Sequence, residues 1–570
     1  MKADLTPMYG SHSSVAQAGP RLVRDRLAAG DPPSFRSGWR RALALVAGFL
    51  AVISTGAFAA DRSMTLQEAI TMALEKNEGL IVQREAWLSA DALVGGARGP
   101  YDPRLDLQLG WRKSALATNS PFAGAPAGQL APTDKAGELG LSLQQLLPTG
   151  GEATLRAGAA RQTTDGAFAL LSPAYSTQVG LEIRQPLLRG RAVDASRLGL
   201  SVSAAERGRA SAALAVVTRD TVASVERAFW GLVAAARAVE VRDEAVRLAE
   251  EQRSQTEIRI KGGESPETEI AQPRAELERR RGELLASREA ATRAENALKL
   301  LILADRDEAL WLDHLLPAGE TAGDVVPVDR SSAMQRALAS RPELEEASRV
   351  VERRRAEAAF ARDVVKPTLD AVVSYDRFGL AGRSNPAAGS VPGFPAEVPS
   401  RLAGGWGRSF GVLGGGDFED ARVALVLGVP IGNHAARAAA VVAGSAERQS
   451  EADLAAVRKT IRAEVLDAAA AVETAGQRIE AARAAREAAE VQLGAERERF
   501  AVGLTTNFLV LTRQNDLARA RLDEISALTD YRMARTELAR VTGSLLEERG
   551  IAVQMATPPR GSVPDEGGKR

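Results

Sequence analysis

The sequence predicts a mainly α-helical chain with a β part, built as two internal repeats, and three observations predict it. Two stretches, Gly190 to Gly262 and Gly432 to Gly503, each run about 70 residues without a proline. Short segments of alternating polarity precede both of them. The residue pattern also recurs at a countable offset. A proline-free run of that length reaches on the order of 105 Å at 1.5 Å per residue if helical throughout, longer than any compact domain needs.

The chain begins with an export signal. Arg36, Arg40 and Arg41 precede the apolar run Ala42 to Ile53, and small residues then lead to Ala57-Phe58-Ala59, an A-x-A cleavage pattern. Residues 1–35 sit in front of an already complete signal, as an upstream mis-assigned start would place them. Residues 1–59 are therefore an extension plus signal peptide, and the mature chain is expected from Ala60, outside the cytoplasm. Beyond it there is no run of about 18 consecutive apolar residues. Such a chain is soluble in the periplasm, secreted, or inserted as a β-barrel, whose alternating strands escape a hydropathy scan.

The duplication follows. Ala69, Ala73, Leu74 and Leu80 match Ala333, Ala337, Leu338 and Leu344, each 264 residues later, and the same offset carries Pro103, Leu105 and Asp106 onto Pro367, Leu369 and Asp370. The offset falls to 244 at Pro186 and Pro430, and to 240 at Gly263 and Gly503, Leu277 and Leu517, and Leu298 and Leu538. The first repeat is therefore longer, with its extra residues in the strand region. Residues 60–303 are read as the first repeat, 304–330 as a connection, 331–543 as the second repeat and 544–570 as a tail. From Pro558 the tail is rich in proline, glycine and charge, as disordered segments are.

Within each repeat the order is helix, strands, two long helices. The first helix is expected from Thr65 to Ala97. Leu105, Leu107, Leu109 and Trp111 then alternate with Asp106, Gln108 and Gly110, and Val179, Leu181 and Ile183 alternate with Gly180, Glu182 and Arg184. This period of two marks strands with one apolar face. Leu369, Ala371, Val373 and Tyr375 repeat the pattern, and Val423, Leu425 and Leu427 match more weakly. Leu139, Leu141 and Leu143, the turn Pro148 to Gly151, and Ala153, Leu155 and Ala157 read as an extra hairpin, residues 138–161, in the first repeat alone. It either adds to the sheet or caps it. In the second long helix Leu454, Ile461, Ala468, Ala475, Ala482 and Ala489 fall at intervals of seven, with Val465, Val472 and Ile479 between them. That heptad seam, rich in small residues, predicts close coiled-coil packing.

Chemistry is sparse. With 73 basic and 73 acidic side chains, no net charge points to nucleic acid. The absence of cysteine excludes disulfides, thiolate metal sites and a cysteine nucleophile. His12, His314 and His434 are scattered and form no metal cluster, so neither cofactor nor metal nor enzyme activity is expected. Gly414-Gly415-Gly416 lacks the lysine and following helix of a phosphate loop and is read as a flexible loop.

In their order and duplication these motifs resemble the outer-membrane efflux factor family typified by TolC, across nearly all of residues 63 to 545. The most specific pieces are the repeated helix starts, including Arg341-Pro342-Glu343-Leu344; the junctions Gln185 to Gly190 and Val429 to Asn433; and Arg499 to Thr506, which looks like the family's Val-Gly-Leu tip. The resemblance implies a long coiled-coil α-helical barrel plus a shared transmembrane β-barrel. It implies a homotrimer in the outer membrane, each protomer giving four strands to a twelve-stranded barrel, with equatorial elements at 304–329 and from 544. It implies an export duct for small molecules or proteins that works with a periplasmic adaptor protein and an inner-membrane pump, in efflux or type I secretion. The other reading is a surface or periplasmic coiled-coil structural protein, which leaves the strands and the export signal without a role.

The resemblance places the adaptor contacts at the hairpin tips: Gly263 and Ser265 on the first, Val502, Gly503, Leu504 and Thr505 on the second. Ser265 is expected to cap the returning helix, with Pro266 at its first position and acids in its first turn. Glu264, Glu267 and Glu269 are read as lining the entrance, where three copies would form acidic rings. The second tip departs from the family: Leu509 and Thr512 align with its entrance-lining aspartates, and Thr505 with its basic latch residue.

Overall fold

The computed structural model describes residues 61–117, 124–126, 129–318, 325–388 and 397–552. The export signal read at residues 1–59 and the tail from 553 lie outside these residues.

The chain enters through β1 (Asp61–Thr65) and passes directly into α1 (Leu66–Lys76), where Thr65 and Glu68 form a reciprocal capping box. The single helix expected from Thr65 to Ala97 is broken at Asn77, which ends α1 and starts α2 (Glu78–Gly96). The Asn77 backbone N–H closes α1 on the Ala73 carbonyl, while its side chain accepts the Leu80 N–H at 3.3 Å to cap α2 and donates to the distant Leu301 carbonyl at 3.2 Å.

Strands β2 (Arg104–Ser114), β3 (Asp134–Leu146), β4 (Glu152–Thr164) and β5 (Leu171–Pro186) come from the first repeat. The long helix α3 (Ala195–Lys261) and its return α4 (Ala271–Ile302) follow, then the short α5 (Glu308–Leu312) and β6 (His314–Ala318). The second repeat gives α6 (Arg330–Ser340), α7 (Pro342–Val364), β7 (Thr368–Ser384), α8 (Trp406–Gly415), β8 (Phe418–Gly428), α9 (His434–Ala501), α10 (Asn507–Thr542) and the terminal turn α11 (Leu545–Glu548). The duplication is visible in the lengths: α1 and α6 have 11 residues each, and α3 and α9 have 67 and 68.

The six strands β2-β3-β4-β5-β7-β8 form one antiparallel sheet in that order. Where the resemblance implied four strands, the sheet formed by the described residues has six. The extra hairpin joins the middle of the sheet instead of capping it. One face is apolar and, outside the patch that a short helix covers, open, with Leu109 74% exposed and Val423 82% exposed.

A second correction concerns Gly414-Gly415-Gly416. The first two glycines end helix α8, and Gly416 closes it in the left-handed conformation at φ 75°. Helix α8 lies on the apolar face of the sheet. The Ser409 hydroxyl meets the Thr177 hydroxyl at 3.0 Å, and Trp406 stands edge-on to Tyr175 at 5.0 Å. A Cβ on Gly379 would sit 2.1 Å from the Ser409 carbonyl oxygen, so this glycine lets the helix touch the strand backbone.

Midway along α3, a core of Val222, Val225, Phe229, Leu232 and Val233 packs on Ile70, Leu298, Ile302, Leu315 and Leu545. Strand β1 pairs in parallel with β6 beside it. The segments 304–329 and from 544, expected to be equatorial, hold α5, β6 and α11, and β1 pairs with β6. The heptad seam of α9 is observed: Ile461, Val465 and Ala468 pack with Val541, while Val472, Ala475 and Ile479 pack with Ala527 and Tyr531 of α10. Leu454 and Ala482 are half-buried.

Candidate functional site: the paired hairpin tips

Both long helices end in the same hydrogen-bonded turn. On the first, Gly263 N–H donates to Ile260 O at 3.0 Å and Glu264 N–H to Arg259 O at 2.9 Å. On the second, Gly503 N–H donates to Phe500 O at 3.1 Å and Leu504 N–H to Arg499 O at 2.9 Å. These are Schellman closures. They hold Gly263 at φ 77° and Gly503 at φ 75°, a region open to glycine and costly for other L residues. Every bond of the first turn maps onto the second at an offset of 240 residues.

Past the glycines the tips differ. On the first, Pro266 is extended at φ −70°, ψ 149° and occupies the N-cap position of a short 3₁₀ turn, Glu267–Ile270, with no side-chain cap bond. The expected Ser265 cap is therefore absent. Pro266 itself supplies the capping backbone, its carbonyl accepting the Glu269 N–H at 3.1 Å. Ser265 is half-buried, and Glu264, Glu267 and Glu269 are all exposed. On the second tip, Thr505 donates its hydroxyl to Glu496, a carboxylate only 8% exposed. Val502, Leu504 and Phe508 stand out in solvent at 70%, 78% and 58% exposure. Leu509 is exposed as well, and Thr512 donates its hydroxyl to the Phe508 carbonyl within its own helix at 2.8 Å. One tip thus presents carboxylates and the other apolar side chains.

The two tips also touch each other, through residues that sequence reading passed over. The Arg259 guanidinium lies 4.4 Å from the centre of the Phe500 ring. Gln252 donates to Asn507 at 2.6 Å. Farther from the tips, Arg280 is 4% exposed and is held by Glu276, Glu283 and Asn515. Arg279 reaches the same Asn515 at 3.0 Å. Burial works against the Glu276 charge, but Arg279 and Arg280 hold its carboxyl below the ordinary range. The only sequence signal for this cluster was the run Arg279-Arg280-Arg281 with glutamates three and four residues away, the usual signature of a solvated helix face.

Among the described residues, no group of three or more histidine, cysteine, aspartate or glutamate side chains is placed to hold a metal ion. None of the described helices is long and apolar enough to cross a membrane. What the site offers is a shape: two glycine-closed ends, stapled side by side, at the end of helices about 100 Å long by the 1.5 Å rise per residue.

Residues 333–544 match the family described as Outer membrane efflux protein. No curated protein matches the sequence. The fold is similar to the Campylobacter jejuni CmeC outer membrane channel, with 14% identity, 84% of this chain and 86% of that chain covered, and a TM-score of 0.57. It is similar to the outer membrane protein VceC of Vibrio cholerae, at 15% identity, 84% and 96% coverage and a TM-score of 0.55. It is also similar to the open state of the Neisseria gonorrhoeae MtrE outer membrane channel, at 16% identity, 84% and 89% coverage and a TM-score of 0.55.

Proposed function

We propose that this chain, whose residues 333–544 match the Outer membrane efflux protein family, is the passive outer-membrane duct of a tripartite export machine. Three copies close the barrel in the outer-membrane lipid and join their long helices into a tunnel across the periplasm. The tips meet a periplasmic adaptor protein, and an inner-membrane pump supplies the energy. The observation that carries this reading is the junction of two opposites in one chain. A sheet with its apolar face exposed, Leu105, Leu107 and Leu109 at 63%, 63% and 74%, runs directly into charged helices of 67 and 68 residues. A surface or periplasmic coiled-coil protein leaves those leucines in water at a cost of roughly 25 cal/mol per Å². In lipid they are at home, and the closed ladder that a bilayer demands is available from further copies.

The test is fractionation and sizing. The protein is expected in the outer membrane, and detergent-extracted material is expected to scatter light as a trimer after correction for detergent. A monomer, or recovery in the inner membrane, overturns the proposal. Export of cargo is expected to stop when the gene is deleted and to return when it is restored.

The charge difference between the tips leads to a second expectation. The second tip carries Leu509 and Thr512, so the carboxylates that ring the entrance are Glu264, Glu267 and Glu269 of the first. Three copies of each around a narrow pore focus a negative potential and favour cations. Replacing all three with glutamine reduces cation preference in planar bilayers, most at low salt where screening is weakest. An unchanged reversal potential in that variant assigns these acids to the helix start alone.

A further inference from the structure

We propose that all six strands of each protomer stand in the wall of the shared barrel, so that three copies close eighteen strands through a joint between β2 of one copy and β8 of the next. The proposal rests on the trimeric duct reading and adds the size of its outer-membrane lumen.

The wall position of the extra hairpin follows from its side chains. Leu105, Leu143, Leu155, Leu181 and Tyr375 fall in one cross-strand row over β2, β3, β4, β5 and β7. Leu107, Leu141, Ala157 and Val179 form the next row on the same face. The opposite face carries Asp106, Ser142, Arg156, Gly180 and Asp376 in register, and Arg156 pairs with Glu182 at 2.8 Å. Strands β3 and β4 thus share the apolar-out, polar-in pattern of their neighbours, as lipid on one side and water on the other require. A hairpin folded into the lumen would put Leu139, Leu141 and Leu143 in water. Lifted away from the wall, it would leave unpaired backbone in the bilayer. Its strands have 13 residues each, enough to cross the hydrocarbon at the tilt of a barrel strand.

The joint between copies follows from the edges. Strands β2 and β8 are the two ends of the sheet and have 11 residues each. Because the sheet is antiparallel and has an even number of strands, β8 of one copy runs antiparallel to β2 of the next. The same joint therefore repeats head to tail until the ring closes. With strands about 4.8 Å apart and tilted near 40°, eighteen strands close at ~36 Å between opposite backbones, against ~24 Å for twelve. Barrels of that strand number leave an aqueous channel. The polar face is lined partly by Gly140, Gly158 and Gly180, which take little of that width. The outer-membrane section is then no sieve, and selection by size falls to the tips.

Electron cryomicroscopy of the full-length trimer in detergent counts the strands directly. The expected result is a continuous eighteen-stranded wall with β3 and β4 between β2 and β5. A trimer with a twelve-stranded wall, β2 bonded to β5 and the hairpin outside the ladder, overturns the inference and leaves the duct reading standing. A protein that is monomeric or absent from the outer membrane overturns both. A second measurement uses the chain's lack of native cysteine. In the outer membrane, the pair Leu107→Cys and Leu141→Cys, opposite each other on β2 and β3, is expected to oxidise to a disulfide with trimer yield kept. Failure to oxidise in correctly assembled trimer counts against the eighteen-stranded wall.

Discussion

Gly503→Arg is expected to abolish export while leaving the yield of outer-membrane trimer unchanged. An added Cβ at Gly503 meets no atom within 4 Å, so the first atom of a side chain has open space around it. The local cost is the left-handed backbone at φ 75°, roughly 1–2 kcal/mol for an ordinary L residue. That is small beside the packing of a 68-residue helix against its partners, so assembly survives. What changes is the surface proposed to meet the adaptor: a cation is placed between Val502 and Leu504, both largely exposed and apolar. Burying that charge in an apolar interface is expensive unless the partner supplies a carboxylate. Gly503→Asn separates the two effects, since asparagine tolerates the same backbone region without adding charge. It is expected to keep most of the export. Complementation of a deletion strain, with trimer measured on unheated gels, reads both quantities. Normal export by Gly503→Arg removes the second tip from the contact.

What the sequence made legible, and what it did not, divides along physical lines. The seam of α9 was readable because each heptad position reports its own burial, and Ile461, Val465, Val472 and Ile479 are all buried. Strand β2 was readable for the same reason, one side chain at a time. Helix α8 was not: glycines at 407, 411, 414 and 415 depress helix propensity, and the helix exists because Gly379 and Thr177 provide a seat for Ser409. The corner at Asn77 was hidden because the apolar pattern runs through it, while its second partner, the Leu301 carbonyl, lies 224 residues away. The tip glycines could be found because a left-handed turn demands glycine wherever it occurs. The contacts between the tips could not be found, because Arg259 over Phe500 is a pairing across the repeats and no local period encodes it.

The motif Arg341-Pro342-Glu343-Leu344 was singled out for its resemblance, and the structure gives it a physical role that leads to the second large effect. Glu343, in the first turn of α7, accepts hydrogen bonds from Arg219 of α3 at 2.6 and 2.9 Å and from Arg341 at 2.6 and 3.2 Å. The two guanidinium groups are 2% and 4% exposed. Arg341 also reaches Glu464 of α9, while Asp220 links Arg219 to Arg540 of α10. One carboxylate thus centres a network joining four helices. Burial disfavours its charge, but the hydrogen bonds from Arg219 and Arg341 prevail and hold its carboxyl at about 2. Glu343→Ala leaves two buried cations short of their shared partner and is expected to destabilise the protein by about 3 kcal/mol. That is the low end for a broken buried pair, because Asp220 and Glu464 still serve the arginines. Arg219→Met combined with Glu343→Leu is expected to recover part of this loss, since the charge and its uncompensated partner leave together. The pH dependence has a definite sign. A carboxyl whose folded pKa is depressed contributes stability above its unfolded value, near 4.5, and loses it as pH falls through about 2. The gap in thermal stability between wild type and Glu343→Gln should therefore be widest at neutral pH and close progressively between about 4.5 and 2. A gap that stays constant across that window would show that the charge of Glu343 is not what binds the four helices together.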